Sequence, residues 1–429
     1  MKTYLKIYVA VLVLAVSMGV HAQTVQRLSQ ENNQPSVTAW ESWSPYPEIS
    51  PVFERDVTNG SETLVMKAGD KRVMGQWRSG AFPAKPGFCR FEIDVAAEGI
   101  ASLNTSVVVM LLFMTGNGQW LQREMIDEIS GEGEWRTLAQ TVEAPEGAEK
   151  ASVALMLRNT TGTVKFKNAK IFNVEPLPER PVTIASAFVR FGRTLEEDEK
   201  LMCGAIDKAA SAGVDIVCLS ETVYGSNTGL PLHKTAVKIP GMLTDRLGER
   251  ARAGNIYVVV SLYEEVDGYF YNTAILIGRN GQVEGKFRKV YLPISEWEDG
   301  VMPGNDYPVF ETDFGKIGML VCWDQMFPEA SEALRKAGAE IIFLPTAGAT
   351  DIQAAARAAD NTVYFVMSHR RMVQETKIYS PTGELIARAT DETGGLAIAK
   401  VDLNKRFYHY WYSVGPCLGE QRNVLGIDK

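Results

Sequence analysis

Scarcity sets the first limits on this chain. Cysteine occurs only five times in 429 residues, at 89, 203, 218, 322 and 417, too few and odd in number for a disulfide framework. At least one thiol is expected to be free. Histidine is rarer still, with four residues, and none of His21, His233, His369 or His409 stands in a C-x-x-C, H-E-x-x-H or related spacing. A metal site is therefore not expected, and no cofactor is implied. Positive charge is also short: 44 Lys plus Arg face 52 Asp plus Glu, for a net charge of -8. With a pI near 5.3, no broad cationic surface exists to neutralise a phosphate backbone, which argues against a nucleic-acid partner. No stretch reaches the roughly 20 consecutive apolar residues a spanning helix needs.

What is present is an ordinary globular composition, 45% hydrophobic and 22% charged, enough for two or three domains of roughly 100–200 residues each. Residues 1–22, MKTYLKIYVAVLVLAVSMGVHA, carry two lysines, an apolar run from Ile7 to Val16 and a small-residue end, which read as a secretory signal with Gln23 first after cleavage. An uncleaved membrane anchor is the alternative. The mature protein is expected to be exported, periplasmic or secreted.

Two grammars follow. From residue 23 to about 178, short apolar runs such as Val107 to Met114, Ala151 to Leu157 and Val164 to Val174 alternate with Gly, Asn, Pro and Ser, as in an antiparallel β-sandwich. EPLPERP, Glu175 to Pro181, places three prolines in seven residues and marks the boundary. From 179 to 429, strands alternate with amphipathic helices, the first of which Thr194 can cap with Glu197 three residues on. KAASAGVDIVCLSE and EALRKAGAEIIFLP repeat one helix-Gly-strand phrase, so two similar α/β units are expected about a common core.

Chemistry in α/β domains gathers at the C-terminal ends of strands. Three segments fit: DIVCLSETVY with Glu221, GKFRKVYLP with Lys289, and GMLVCWDQMFPE with Cys322 before a helix start at Pro328. The last has the pattern of a nucleophile elbow with Cys in place of Ser. A thiol needs a base to become the attacking thiolate, and an ammonium nearby favours both the thiolate and the later oxyanion. One carboxylate, one ammonium and one thiol are what these three ends supply. The backbone N–H of Trp323 offers a further oxyanion donor.

Glu221, Lys289 in FRKVYLP and Cys322 in VCWDQMFPE resemble the Glu-Lys-Cys triad of the nitrilase superfamily of carbon-nitrogen hydrolases. The resemblance covers about Val182 to Tyr410, and YNTAILIGRNGQVEGKFRKVYLP, Pro303-Gly304, TDFGKIGMLVCWD and KIYSPTGELIARA support it. It implies a four-layer αββα sandwich, hydrolysis of a non-peptide amide or N-carbamoyl bond, less often a nitrile, no cofactor, and a homo-oligomer. It also implies an accessory acid, for which Glu296 in LPISEWEDG fits best and Glu298 is the near rival. One departure is Met326, where a basic residue often precedes Phe-Pro-Glu; this bears on substrate preference. Tyr224 and Trp323 are candidate substrate contacts, and Asp324 either shapes the pocket or caps a helix.

The first half resembles galactose-binding-like jelly rolls. Trp40, Trp43, Tyr46, Trp77 and Trp120 offer either a sugar-stacking platform for a glycan or plain packing. Cys203 and Cys218 read as core, Cys417 in GPCLGE as a competing reactive thiol, and Lys286 and Arg288 as solvent-facing. Two other functions stay open: N-acyl transfer through the same thioester, and a catalytically silent glycan-binding or surface interaction protein.

Overall fold

The computed structural model describes residues 37–58, 60–100, 103–348 and 350–407. The signal sequence at 1–22, His409 and Cys417 lie outside these residues. The chain divides into two compact units, Met1–Leu177 and Pro178–Lys429. No helix among the described residues is long and apolar enough to cross a membrane.

The first unit holds strands β1 (Glu41–Trp43), β2 (Val52–Thr58), β3 (Ser61–Ala68), β4 (Met74–Arg78), β5 (Phe82–Pro83), β6 (Gly87–Glu98), β7 (Val107–Met114), β8 (Trp120–Met125), β9 (Glu128–Ser130), β10 (Trp135–Ala144), β11 (Lys150–Arg158) and β12 (Gly162–Asn173). They form two antiparallel sheets, β1-β4-β11-β7-β8, with β5 beside β11, and β2-β3-β12-β6-β10-β9. Alternate residues from both, among them Val109, Leu111, Val153 and Leu155 from one and Phe91, Ile93, Val164 and Phe166 from the other, share one core. The period-two pattern of the sequence thus becomes a β-rich unit built as a sandwich.

The five aromatic residues weighed as a platform separate. Trp40 and Trp77 are buried in this core, whereas Trp43, Tyr46 and Trp120 are exposed. Trp43 on β1 and Trp120 on β8 stand at opposite edges of one sheet, so the five make no single stacking surface.

The second unit contains β13 (Pro181–Ala187), β14 (Ile216–Leu219), β15 (Tyr257–Val266), β16 (Tyr269–Ile277), β17 (Val283–Arg288), β18 (Val309–Glu311), β19 (Lys316–Met319), β20 (Ile341–Thr346), β21 (Tyr364–His369), β22 (Lys377–Tyr379), β23 (Leu385–Arg388) and β24 (Leu396–Asp402). Its main helices are α1 (Leu195–Ser211), α2 (Met242–Gly254), α3 (Ile294–Glu298), α4 (Pro328–Lys336) and α5 (Asp351–Asn361). Two six-stranded mixed sheets result, β17-β16-β15-β14-β13-β24 and β18-β19-β20-β21-β22-β23. In each, three central strands are parallel and the flanking ones antiparallel.

Helix ends follow local chemistry. Thr194 Oγ1 accepts the Glu197 N–H at the start of α1. Gly213 and Gly338 take positive φ, 70° and 98°, just past α1 and α4, the left-handed turn that releases each chain into β14 and β20. The repeated helix-Gly-strand phrase is therefore one structural unit used twice.

Alternation along the first sheet sorts its two faces. Ala185, Val217, Leu219, Val258 and Val260 pack with Met202, Ile206, Leu243 and Leu247 of α1 and α2. Ile184, Ile216, Cys218, Val259 and Leu276 instead join Met319, Ile341 and Phe343 of the second sheet. Cys218 is accordingly core, and Cys203 on α1 is half-buried against the helix-side cluster. On the second sheet, a Cβ at Gly318 would come 2.8 Å from the Leu334 side chain, so α4 sits directly on that strand.

Candidate active site

Strand ends of both sheets bring Glu221, Lys289, Glu296 and Cys322 together. Glu221 lies two residues past β14; the next residue, Thr222, has φ 38°, and its N–H is held by Ser261 O at 3.1 Å. A left-handed, β-branched residue there is strained, and its geometry is fixed by the surrounding bonds. Lys289 directly follows β17, with its N–H on Asn272 O and its carbonyl accepting the Gly304 N–H, both at 2.8 Å. A Cβ at Gly304 would stand 2.2 Å from Arg288 O, which explains the glycine of the Pro303-Gly304 pair. Cys322 has φ 47° at the turn from β19 into a 3₁₀ segment, Cys322–Met326, the sharp elbow its sequence setting implied.

Register explains why Lys289 and not its neighbours enters this group. Along β17 successive side chains alternate, so Phe287 and Lys289 face the space between the sheets while Lys286 and Arg288 face the helices. The expectation that Lys286 and Arg288 face solvent is corrected here. Both are only about one-third exposed and grip Glu264, Lys286 at Oε1 (2.8 Å) and Arg288 at Oε2 (3.0 Å), because that buried carboxylate requires compensation.

Lys289 Nζ stands 3.1 Å from Glu221 Oε1 and 2.8 Å from Glu296 Oε2, with all three side chains buried. Glu296 on α3 thus takes the place beside the lysine, and Glu298 is exposed. Burial opposes the Lys289 charge, but Glu221, Cys322 and Glu296 outweigh it and hold the ammonium above its ordinary pKa. For Glu221, burial pushes up, yet Lys289 and Arg370 hold the carboxylate below its usual value. The Cys322 thiol is pushed up by burial and by Glu221, with Lys289 working in the opposite direction. The resting group is therefore a carboxylate, an ammonium and a protonated thiol. Glu221 Oε2 is buried without a hydrogen-bond partner, an acceptor left open beside that thiol.

Three further residues complete the surroundings. Asn272, on the strand YFYNTAILI, donates from Nδ2 to Glu221 Oε1 at 2.9 Å and Glu296 Oε1 at 2.7 Å. Ser261 Oγ fixes its amide by donating to Oδ1 at 2.8 Å. Asn272 is not among the candidates of the sequence, although a polar side chain in a strand buried from Asn272 to Ile277 carries a partner as a rule. Tyr263, half-buried, has its phenol pushed up by burial, Glu296 and Glu221. Asp324 joins the two loops: Oδ1 accepts Val290 N–H (3.2 Å) and Tyr291 N–H (2.8 Å), and Oδ2 accepts Val321 N–H (2.9 Å). It is both a cap of the 3₁₀ segment and a clamp between the Lys289 and Cys322 loops.

The two candidate substrate contacts differ. Trp323 is 40% exposed directly after the thiol. Tyr224 packs with the α1 and α2 cluster and lines a small recess with Glu199, Met242 and Arg246. This corrects its placement in the pocket, because that is the helix side of the sheet and the thiol is on the other. His369, buried, accepts the Arg371 and Met372 N–H groups at Nδ1 (3.0 and 3.1 Å), and His233 lies on an outer turn.

Comparison with known proteins shows what the second unit is similar to. The family model described as Carbon-nitrogen hydrolase matches residues 191–406. A nitrilase of Pyrococcus abyssi is 30% identical over 244 residues, 51% of this chain and 92% of that protein. An omega-amidase of Xenopus tropicalis is 32% identical over 47% of this chain and 81% of its own length. An N-carbamoylputrescine amidase of Solanum tuberosum is 31% identical over 37% and 64%, respectively.

Proposed function

The chain belongs to the carbon-nitrogen hydrolase family and hydrolyses carbon-nitrogen bonds other than peptide bonds, and from that premise we propose an exported amidase or N-carbamoylase working through a Cys322 thioester. The observation that carries this reading is the buried Lys289 held between Glu221 and Glu296 beside the strained Cys322 elbow.

Glu221 Oε2 takes the thiol proton, and the thiolate attacks the substrate carbonyl carbon. The oxyanion that forms is met by the Lys289 ammonium and the Trp323 N–H. Glu221 returns the proton to the departing nitrogen as the carbon-nitrogen bond breaks, releasing ammonia or an amine and leaving the acyl group on sulfur. Water then adds to the thioester, giving a proton to Glu221; collapse releases the acid and restores the thiol. Glu296 and Asn272 hold Lys289 and Glu221 in register throughout.

The same reading makes the second unit a four-layer αββα sandwich that pairs into a homo-oligomer, and the first a galactose-binding-like jelly roll with a glycan as its candidate ligand. Export rests on the pattern of residues 1–22. The test is ammonia release from simple amides, N-carbamoyl amino acids, amino-acid amides and nitriles by wild type and Cys322→Ala. Release that disappears in the variant supports the mechanism, and release that persists refutes it.

A further inference from the structure

Among the described residues two lysines are fully buried, Lys289 and Lys377, and only the first has a part in the steps above. Lys377 opens β22, and its Nζ meets Asp351 Oδ1 at 2.6 Å, Asp351 Oδ2 at 2.7 Å and Glu375 Oε2 at 2.9 Å. Tyr379, two residues on and so on the same face of the strand, donates its hydroxyl to Asp351 Oδ1 at 2.7 Å. Asp351 is the first residue of α5, directly after its Thr350 cap. A helix dipole disfavours a cation at that end, and burial disfavours it further, so helix stability alone gives no reason for an ammonium there.

This clamp holds the support of the nucleophile. α5 and the turn before it reach the Cys322 segment from two sides. In the turn, Gly348 O stands 3.9 Å from Cys322 Sγ, and the Gly348 N–H is held by Thr346 Oγ1 at 3.2 Å. Within the helix, buried Arg357 donates from Nε to Gln325 O at 3.0 Å and from Nη2 to Met326 O at 3.4 Å, gripping the 3₁₀ segment that Cys322 begins. Thr346 is fixed by the sheet, since its carbonyl accepts the Arg370 N–H at 2.9 Å. The chain from Thr346 to α5 is thus anchored by backbone bonds at one end and by the Lys377 and Tyr379 bonds to Asp351 at the other. Burial and Glu221 raise the Cys322 thiol, while Lys289, the Thr346 side chain and the Ala347 backbone oppose them, so displacing this turn disfavours the thiolate.

We propose that Lys377 and Asp351 are positioning residues for the reaction: their ion pair, completed by Tyr379, sets the place of α5 and thereby orients Cys322 and the turn beside it for attack. The proposal rests on the hydrolase reading for what Cys322 does and goes beyond it in naming what holds Cys322 in place.

The experiment takes the full chain as Lys377→Met, Lys377→Arg, Asp351→Asn and Lys377→Met/Asp351→Leu, with Tm measured for each. It reads kcat and KM with an amide that wild type hydrolyses, and the rate at which iodoacetamide alkylates the Cys322 peptide at fixed pH. Lys377→Met and Asp351→Asn should lower kcat about 10–100-fold with KM within about twofold, and slow alkylation about 5-fold or more, as for a small displacement of a reacting group. Lys377→Arg, which can meet Asp351 with two parallel bonds, should recover most of both. The double variant exchanges the ion pair for apolar side chains, a change that can leave stability near wild type, and its kcat and alkylation rate should stay low. If the single variants fail to fold, the double variant decides. Folded variants with wild-type kcat and alkylation rate overturn the proposal, by showing a clamp that serves stability alone. If wild type turns over no amide, alkylation still reads the thiol: a slowed rate in the variants keeps the positioning of Cys322 while the hydrolase reading falls, and an unchanged rate overturns the positioning.

Discussion

Two buried ionic clusters lie back to back on strands β15 to β17, and they are built to opposite ends. On the helix side, Glu264 is saturated: Lys286 holds Oε1, and Arg288 and Thr273 hold Oε2. Its two cations are each about one-third exposed. On the inner side, Glu221 and Glu296 share one ammonium and one amide, and Glu221 keeps an unpartnered oxygen next to a thiol. The first arrangement is closed and structural. The second is held rigid, yet Glu221 Oε2 and Glu296 Oε2 have no hydrogen-bond partner, and the proposed mechanism uses the first of them to accept a proton. Buried charge alone does not mark a site; unsatisfied valence beside a nucleophile does.

The largest effect is expected where the inner cluster loses the ammonium that both glutamates share. Lys289→Met takes the ion-pair partner from two buried carboxylates, which should cost roughly 3–5 kcal/mol of stability. Turnover should fall by about 10²–10³-fold, as for loss of an oxyanion donor. Denaturant titration and ammonia assays measure the two separately. Next, Asn272→Ala removes a donor from both glutamates; about 1–3 kcal/mol of stability and about 10-fold in kcat should be lost. Unchanged kcat would show that the amide does not set the geometry.

Glu264→Gln sharpens the contrast from the other side. It should cost about 2 kcal/mol, with kcat/KM within about threefold of wild type. A variant of normal stability that had lost turnover would break the distinction between the clusters.

Asp324, a buried carboxylate outside both clusters, gives a smaller, pH-dependent effect. Burial raises Asp324 to about 7, against the pull of the Tyr291, Val321 and Val290 N–H groups. The folded chain then keeps a proton that the unfolded chain, near 3.8, has released. Stability from this group is full below the unfolded value and declines as pH rises through about 7. Tm measured from pH 4 to 8 should show that decline in wild type and a flatter profile in Asp324→Asn. Identical slopes would remove Asp324 from the account.

Glu221 and Cys322 were legible in the sequence because each ends an apolar run, where side chains are both fixed and reachable, whereas Lys289 follows the mixed strand VEGKFR and was singled out among its basic neighbours by the family resemblance. The elbow at Cys322 followed from strand, turn and helix signals within a dozen residues. Asn272 was not legible in this way. Its role depends on the β15–β16 and β16–β17 registers and on α3, none of which periodicity specifies. The same holds for Glu264 with Lys286 and Arg288, where a one-residue slip would exchange the two faces of β17. Tyr224 failed for a related reason: proximity to Glu221 in sequence does not say which side of the sheet a loop residue joins. At the fold level, alternation identified strands and helices, but the antiparallel pairing of β24 with β13 joins segments more than 200 residues apart. No local pattern encodes that pairing.

The central claim is covalent chemistry at Cys322, and intact-protein mass spectrometry of acid-quenched turnover tests it most directly. With an amide that the enzyme hydrolyses, the account predicts an added acyl mass that maps to the Cys322 peptide and is absent in Cys322→Ala. Continued hydrolysis by Cys322→Ala, or an acyl group mapped to another residue, would contradict it.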